Sequence, residues 1–281
     1  MLAPGRTVRF LLLACVAMGP AVAVPGPALA QGKLEATYTV TLAGIPIGKG
    51  TWSINVGETH YNAVATGATT GLLRVFTGGE GTTVAQGGFG GGKLASSTYT
   101  ANIKSRKKSN ETRLIFEKGA LKEAKITPTP DDDPERVPVT EAHTRGVVDP
   151  MSASLLRVPG NGDLLAPEAC NRRLSVFDGR LRYDLRLAYK RIDRVKADKG
   201  YAGPVLVCAV YFVPVAGYVP SRRSIKYLSA MRDTEVWLAP ITGTRVLAPF
   251  RAQGPTPIGD ARLEADQFVS VPGPSRASLQ R

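Results

Sequence analysis

The chain has 281 residues and a formal net charge of +13, and it contains only two histidines and three cysteines. Its length permits one large β domain or two small ones, either with a sizeable core. Two histidines exclude a three-histidine zinc site, and we predict that most of the surplus positive charge is solvated surface that aids solubility.

The N-terminus has the layout of a secretory signal peptide. Arg6 and Arg9 form a basic region, an apolar run follows over residues 10–24, and Ala-Leu-Ala at 28–30 precedes a cleavage point. We predict that residues 1–30 are removed on export to the periplasm of a Gram-negative bacterium, leaving a chain that is not transmembrane. Export argues against nucleic acid, so the expected partners are envelope lipid, anionic glycan or a periplasmic protein.

Two alternatives remain for this segment. Leu12–Cys15 loosely matches a bacterial lipoprotein cleavage box, in which Cys15 would carry the lipid, although only five apolar residues precede this cysteine. An uncleaved anchor helix is the other alternative. The apolar run disfavours it because it is interrupted at Gly19 and Pro20, whereas a membrane span needs about 20 residues.

Alternation of apolar and polar residues dominates the rest of the chain and predicts half-buried strands. The clearest patterns occupy Leu34–Leu42, Thr51–Val56 and Arg180–Lys190. Further strand-like runs occupy Tyr61–Ala68, Leu94–Lys104, Glu111–Glu117, Thr234–Leu238, Arg245–Phe250 and Arg262–Val271. Short antiparallel strands at this spacing are typical of a curved sheet, a barrel or a sandwich.

One segment, Pro204–Val215, is apolar on both faces and is therefore predicted to be a strand covered on both sides. Cys208 lies in its middle, and Cys170 lies at the entrance of the preceding strand-like segment. In an exported chain, two such thiols predict one disulfide. We interpret this disulfide as a structural staple and not as a redox site, because the two cysteines are far apart in sequence.

One short helix is predicted near 149–158. Asp149 is a suitable capping residue, Pro150 fits the first helical position and Pro159 ends the pattern. Its apolar side chains share a face that would plug one end of the sheet.

The remaining organisation is a single β domain over 31–271. The acidic, proline-rich stretch near 128–138 is predicted to be an exposed loop within this domain. Residues 272–281 are rich in Pro, Ser and Arg and are predicted to be a disordered tail.

Two short motifs are excluded as catalytic motifs. Gly87–Lys93 meets the spacing of a phosphate-binding loop, but Leu94 replaces the required hydroxyl residue and no helix follows, so a flexible hairpin loop is predicted. Ser105–Lys108 has the S-x-x-K spacing of penicillin-binding enzymes without their other motifs. It is interpreted as a basic hairpin tip.

Cations of this tip and two later arginines form a candidate contact with an anionic surface. The candidate residues are Lys104, Arg106, Lys107, Lys108, Arg222 and Arg223. The alternative is that these side chains are simply solvated.

No catalytic set is recognisable. His60 and His143 are each expected to have an ordinary surface or hydrogen-bonding role, and no G-x-S-x-G motif is present. Carboxylates such as Glu58 and Asp178 are suited to glycosidase chemistry, but the sequence does not pair them. We therefore assign no catalytic, cofactor-binding or metal-ligating residue and expect no cofactor.

Several phrases occur together in a fixed order. They are Tyr38–Gly48, Asp149–Ala153, Phe177–Gly179, Cys208 with Tyr211 and Gly217, and Val236–Leu238 followed by Pro249 and Gly259. This ordered set resembles the bacterial envelope family catalogued as domain of unknown function 3108, over Leu34–Val271. The resemblance implies a periplasmic protein with a strongly curved, mostly antiparallel sheet, and it brings no catalytic residues.

The resulting prediction is an all-β fold with a single strongly curved antiparallel sheet that is spiral, half-barrel or barrel-like. The first functional hypothesis is a non-enzymatic periplasmic protein that binds an envelope component, a lipid-like ligand or a partner protein, and supports cell-envelope integrity. The second is a carboxylate-dependent hydrolase of glycan or peptidoglycan. The third is a scaffold within an envelope complex.

Overall fold

The computed structural model describes residues 31–71, 78–90 and 92–273, and strands dominate these ranges. The strands are β1 Gly32–Leu42, β2 Ile45–Val56, β3 His60–Thr69, β4 Glu80–Gly90, β5 Lys93–Lys104, β6 Ser109–Glu117, β7 Ala120–Thr127, β8 Leu156–Arg157, β9 Arg172–Phe177, β10 Arg182–Lys196, β11 Lys199–Gly200, β12 Ala202–Ala216, β13 Glu235–Pro240, β14 Val246–Thr256 and β15 Gly259–Pro272. The helices in these ranges are α1 Pro150–Ser154 and α2 Arg223–Ala230, with 3₁₀ turns at Glu141–Thr144 and Pro167–Ala169.

The predicted signal peptide, including Cys15, lies outside the described residues. So do residues 274–281 of the predicted tail. Pro272 is the last residue of β15, and the backbone N–H of Gly273 donates to the carbonyl of Gln31. The last strand therefore runs into the range predicted for the tail.

All fifteen strands belong to one sheet, which confirms the predicted fold class. Its main path runs β7-β6-β5-β4-β3-β2-β1-β15-β14-β13-β12-β10-β9, with β11 beside β15 and β8 beside β14. The neighbours are antiparallel except for β11 and β15, which are parallel. The sheet is not closed, because β7 and β9 are its two ends and do not pair with each other.

The segment Arg145–Val148 spans the gap between these two ends. Arg145 forms a bridge with Ala120 at the start of β7, and Val148 forms a bridge with Val176 in β9. A single extended segment thus connects the edges that a closed sheet would join by a full ladder. We call this region the seam.

The inner face of the sheet is filled by one large hydrophobic core. Its largest fully buried members include Phe250, Phe268, Leu34, Ile54 and Leu114. Large side chains therefore pack against one another in the interior on this face.

A smaller core lies on the other face of β12. Val205 and Val207 point into the large core, whereas Leu206 and Cys208 point into the small one. The predicted double-sided burial of this strand is therefore confirmed. The segment that precedes β9 covers the outer side, and a disulfide joins its Cys170 to Cys208.

The predicted helix is present at the expected position, but it is shorter than predicted, and the described chain contains a second helix. Asp149 caps α1 as predicted, yet the helix ends at Ser154 because Leu156–Arg157 pairs with β14 as strand β8. The second helix, α2, was not predicted. Its N-cap residue Arg222 makes no side-chain capping bond, so the usual start signal is missing.

Three strands of the main path, β4, β7 and β9, were also missed, together with the two-residue strands β8 and β11. The fold places Gly87–Gly90 in β4 and Lys93 in β5, so most of the predicted flexible loop is strand. Glycine-rich β4 has few large apolar side chains to reveal its alternation. β7 is an edge strand whose residues 122–125 are all exposed, so only side chains near its two ends are partly buried and no alternation marks a buried face.

Gly87 permits a close approach between β4 and its surroundings. A Cβ at this position would lie 2.2 Å from the carbonyl oxygen of Ala95 and 2.4 Å from the hydroxyl of Tyr61. We expect Gly87→Ala to lower the free energy of unfolding by roughly 1–3 kcal/mol through overpacking. Gly90→Ala in the same strand is the control, because nothing lies within 4 Å of its added Cβ. Urea unfolding measures both, and equal stability of the two variants would contradict the prediction.

Candidate functional site

A cleft of about 470 Å³ opens at the seam. Its walls come from the β4–β5 hairpin, the β6–β7 turn, the segment that crosses the seam, α1 with β8, the stretch before β9, and β9 itself. Apolar side chains of the lining are Leu94, Val147, Leu155, Leu156 and Leu174. We call this space the seam cleft, and its volume lies in the range of small-molecule sites.

The floor of the cleft is held by a buried carboxylate. Asp149 is fully buried, and its Oδ1 accepts hydrogen bonds from the backbone N–H groups of Met151 at 3.0 Å and Ser152 at 2.9 Å. Its Oδ2 accepts from the hydroxyls of Ser96 and Ser152, both at 2.5 Å. Tyr61 hydrogen-bonds the same Ser152 hydroxyl at 2.5 Å. This network ties α1 to β3 and β5.

Burial raises the pKa of the Asp149 carboxyl, while its hydrogen bonds to Ser152, Ser96 and Met151 act in the opposite direction. Burial also raises the pKa of Tyr61, and the nearby Asp149 adds to this effect. Ser152 lines the cleft but is only 1% exposed. The network therefore positions the floor of the cleft and does not present a reactive group to it.

Two guanidinium groups flank the cleft without an acidic partner. Nη1 of Arg172 donates to the carbonyl of Arg157 at 2.6 Å, and burial of this half-buried side chain lowers its pKa. The guanidinium carbon of Arg157 lies 4.4 Å from the ring centroid of Phe89. Neither side chain forms an ion pair with a carboxylate of the described residues, although Glu168 also lines the cleft.

Two further cationic side chains, Arg173 and Lys93, also line the cleft. The Arg173 side chain is 62% exposed and lies 3.6 Å from a carboxylate oxygen of Asp184. Lys93 is exposed at the start of β5. The cleft thus combines an apolar wall with a partly desolvated positive charge, an arrangement that suits the head and tail of an anionic amphiphile.

A second, larger groove crosses the outer polar face of strands β1–β6. A row of side chains in register lines this groove of about 1310 Å³: Thr37, Thr51, Thr66, Thr82, Asn102 and Glu111. At its other side, the hydroxyl of Thr39 donates to Asp266 at 2.7 Å. Hydroxyl, amide and charged side chains form most of its lining.

The candidate hydrolase carboxylates do not form a pair. Glu58 accepts a hydrogen bond from Gln31 at 2.9 Å, and Asp178 accepts from the backbone N–H groups of its own turn. The histidines are engaged locally as well. Nδ1 of His60 lies 2.6 Å from the hydroxyl of Thr59, and Nδ1 of His143 accepts from the N–H of Thr140.

The structure separates the six predicted surface cations into two groups. Lys104 ends β5, and Arg106, Lys107 and Lys108 form the β5–β6 turn, in which Lys108 N–H donates to the Ser105 hydroxyl at 3.1 Å. This confirms the hairpin tip at the S-x-x-K motif.

The other two cations lie at the start of α2. Arg222 pairs with Asp133 of the predicted acidic loop at 3.2 Å, and Arg223 is the first helical residue. Asp131 and Asp132 of that loop are exposed, whereas the N–H of Val137 donates to the carbonyl of Tyr218 and attaches the loop beside α2.

Sequence reasoning did not identify Arg157 and Arg172. They lie in segments that have no recognisable motif, and no residue close to either in sequence indicates that it lines a cleft. Only the return of β9 to the seam brings them to one cleft.

Comparisons with known proteins give a family match and a structural similarity. The family model for a protein of unknown function, DUF3108, matches residues 37–266. A crystal structure of a β-barrel-like protein of domain of unknown function DUF1849 from Brucella abortus is similar, with a TM-score of 0.47 and 9% identity, covering 87% of this chain and 99% of that chain. No curated protein sequence matches the chain.

Two searches of the described ranges were negative. No helix within 31–71, 78–90 and 92–273 is long and apolar enough to cross a membrane. In the same part of the chain, no group of three or more His, Cys, Asp or Glu side chains is arranged to hold a metal ion.

Proposed function

We propose that this chain, which belongs to the DUF3108 family of proteins of unknown function, is a non-enzymatic periplasmic protein that binds an anionic, lipid-like ligand in the seam cleft. By holding such a ligand it would support the integrity of the cell envelope. The observation that carries the proposal is the half-buried guanidinium of Arg172, which has no carboxylate partner in the described chain and lies on the wall of a partly apolar cleft.

The physical argument concerns the cost of leaving this cation unpaired. A guanidinium that loses water and gains only one carbonyl contact is poorly compensated. A carboxylate or phosphate head group would restore charge pairing, and its apolar chain would cover the partly exposed side chains of Leu94 and Leu174. The disulfide supports the periplasmic part of the proposal, because such bonds persist in oxidising compartments.

The test is a fluorescence titration with cis-parinaric acid, a fatty acid that becomes fluorescent in apolar sites. We expect the wild type to bind it and Arg172→Gln to bind it about tenfold or more weakly, because a charge-assisted contact is lost. Competition by a fatty acid and by the fatty alcohol of equal length gives a ratio of affinities. The wild type should prefer the acid, and Arg172→Gln should lose that preference.

Arg186→Gln is the matched control, since Arg186 is an exposed arginine of β10 that does not line the cleft. The acid-to-alcohol ratio does not depend on how much of each variant is folded. Absence of binding by the wild type, or an unchanged ratio in Arg172→Gln, would refute the proposal.

A further inference from the structure

The most exposed large apolar side chains of the described residues lie on two neighbouring hairpin tips. Ile258 is 73% exposed in the β14–β15 turn, and Ile45 is 66% exposed at the start of β2. The tips are adjacent, because the backbone N–H of Ala43 donates to the carbonyl of Asp260 at 2.8 Å. The two isoleucines together form a small apolar patch at these tips. The described part of the chain does not cover this patch.

A basic turn lies at the same edge of the sheet. Strands β1 to β6 are successive antiparallel neighbours, so the β1–β2 and β5–β6 turns fall at the same strand ends. Four strand spacings separate them, which is about 19 Å. Lys104, Arg106, Lys107 and Lys108 are all exposed here and form no ion pair with the described residues, although Glu80 lies opposite Lys104 in register.

The combination selects one kind of partner. Apolar tips favour entry into an interface that is itself apolar below its surface, and unpaired cations favour a negative surface. An anionic lipid bilayer has both properties. A purely aqueous anionic glycan would leave Ile45 and Ile258 exposed to water.

We infer that the protein docks on an anionic membrane surface through this edge, with Ile45 and Ile258 inserted and the β5–β6 turn against the head groups. We call these residues the docking edge. The cleft is formed partly by the β4–β5 hairpin, which lies at the opposite ends of the strands. In the docked protein, the seam cleft therefore faces away from the membrane surface. Ligand binding in the cleft and membrane docking can be tested independently of each other.

The first test measures binding to vesicles of phosphatidylcholine with and without phosphatidylglycerol at low salt. The protein is purified from the cells that export it, and intact mass establishes that all variants share one N-terminus. We expect binding to the anionic vesicles. Lys107→Gln with Lys108→Gln should weaken it by roughly fivefold per charge, and Ile45→Ser with Ile258→Ser should weaken it by about tenfold or more.

Matched controls change the same residue types elsewhere. Lys122→Gln with Lys125→Gln removes two exposed charges from β7, and Ile192→Ser removes an isoleucine that is 45% exposed on β10. These variants should bind as the wild type does. Failure of the wild type to bind anionic vesicles would overturn the inference, as would equal losses in the control and docking-edge variants.

A second readout locates the contact directly. Tryptophan fluorescence of Ile258→Trp should shift to the blue on addition of anionic vesicles, whereas that of Ile192→Trp should not. A shift at Ile192→Trp without one at Ile258→Trp would show that another face binds, and would overturn the inference even if the protein binds vesicles.

Discussion

Replacing Asp149 by alanine is expected to lower the free energy of unfolding by about 3–5 kcal/mol, because it removes the acceptor at the centre of a buried network. The carboxylate accepts two backbone N–H bonds at the start of α1 and two hydroxyl bonds from Ser96 and Ser152. Loss of a helix cap alone costs about 1 kcal/mol. The rest of the loss comes from polar groups that remain buried without a partner.

Urea unfolding followed by circular dichroism measures this effect. Asp149→Asn is the conservative control, because its amide oxygen can still accept from the N–H groups of Met151 and Ser152. We expect it to be clearly more stable than Asp149→Ala. If the alanine variant were as stable as the asparagine variant, the network would not hold α1 in place.

The same aspartate predicts a pH dependence with a definite sign. Burial raises the pKa of Asp149 in the folded state, so the folded protein binds this proton more tightly than the unfolded chain does. This tighter proton binding adds to the free energy of unfolding. The added stability is fully present below the unfolded-state pKa and is lost as the pH rises through the folded-state pKa. The stability of the wild type relative to Asp149→Asn should therefore increase as the pH falls. A difference that is constant or decreases on acidification would contradict this.

Removal of the disulfide is the second large effect that we expect. Cys170 and Cys208 are 38 residues apart in sequence and are both fully buried. In the chain-entropy model, a loop of this length stabilises the fold by about 3–4 kcal/mol. Cys170→Ala with Cys208→Ala should lower the free energy of unfolding by about that amount, as measured by urea unfolding under non-reducing conditions.

Two measurements separate this effect from a packing defect. The non-reduced wild type should be lighter than the reduced protein by the mass of two hydrogen atoms. The reductant should destabilise the wild type but leave the double-alanine variant unchanged. Labelling of both thiols in native protein would show that the bond is absent, and an unchanged unfolding curve on reduction would show that it does not stabilise the fold.

Much of the fold could be predicted because its signals are local. The alternation of apolar and polar residues over Leu34–Leu42 indicates which face of β1 is buried. The continuous apolar run at Pro204–Val215 indicates a strand that lies between two cores. Asp149 and Pro150 mark the start of α1 within a few residues. Elements without such signals were missed: β4 because glycines replace its large side chains, β7 because most of its side chains are exposed, and α2 because its cap is absent. The strands β8, β9 and β11 were missed as well.

The candidate site could not be predicted in the same way. Arg157 belongs to β8 and Arg172 to β9, and nothing near either in sequence indicates that they share a cleft with Leu94 of β5. The adjacent tips of Ile45 and Ile258 are likewise far apart in the chain. Their proximity follows from the pairing of β1 with β15, which joins the two ends of the domain.

The sequence by itself therefore determined the fold class, the family and the cysteine pair, since each depends on residue type and short-range spacing. Only the tertiary structure decided how the sheet ends at the seam. The approach of β7 to β9 depends on the course of the whole sheet and on the bridges made by Arg145 and Val148, and these contacts form between segments that local patterns cannot relate. The unpaired charge of Arg172 beside an apolar wall is a consequence of that approach.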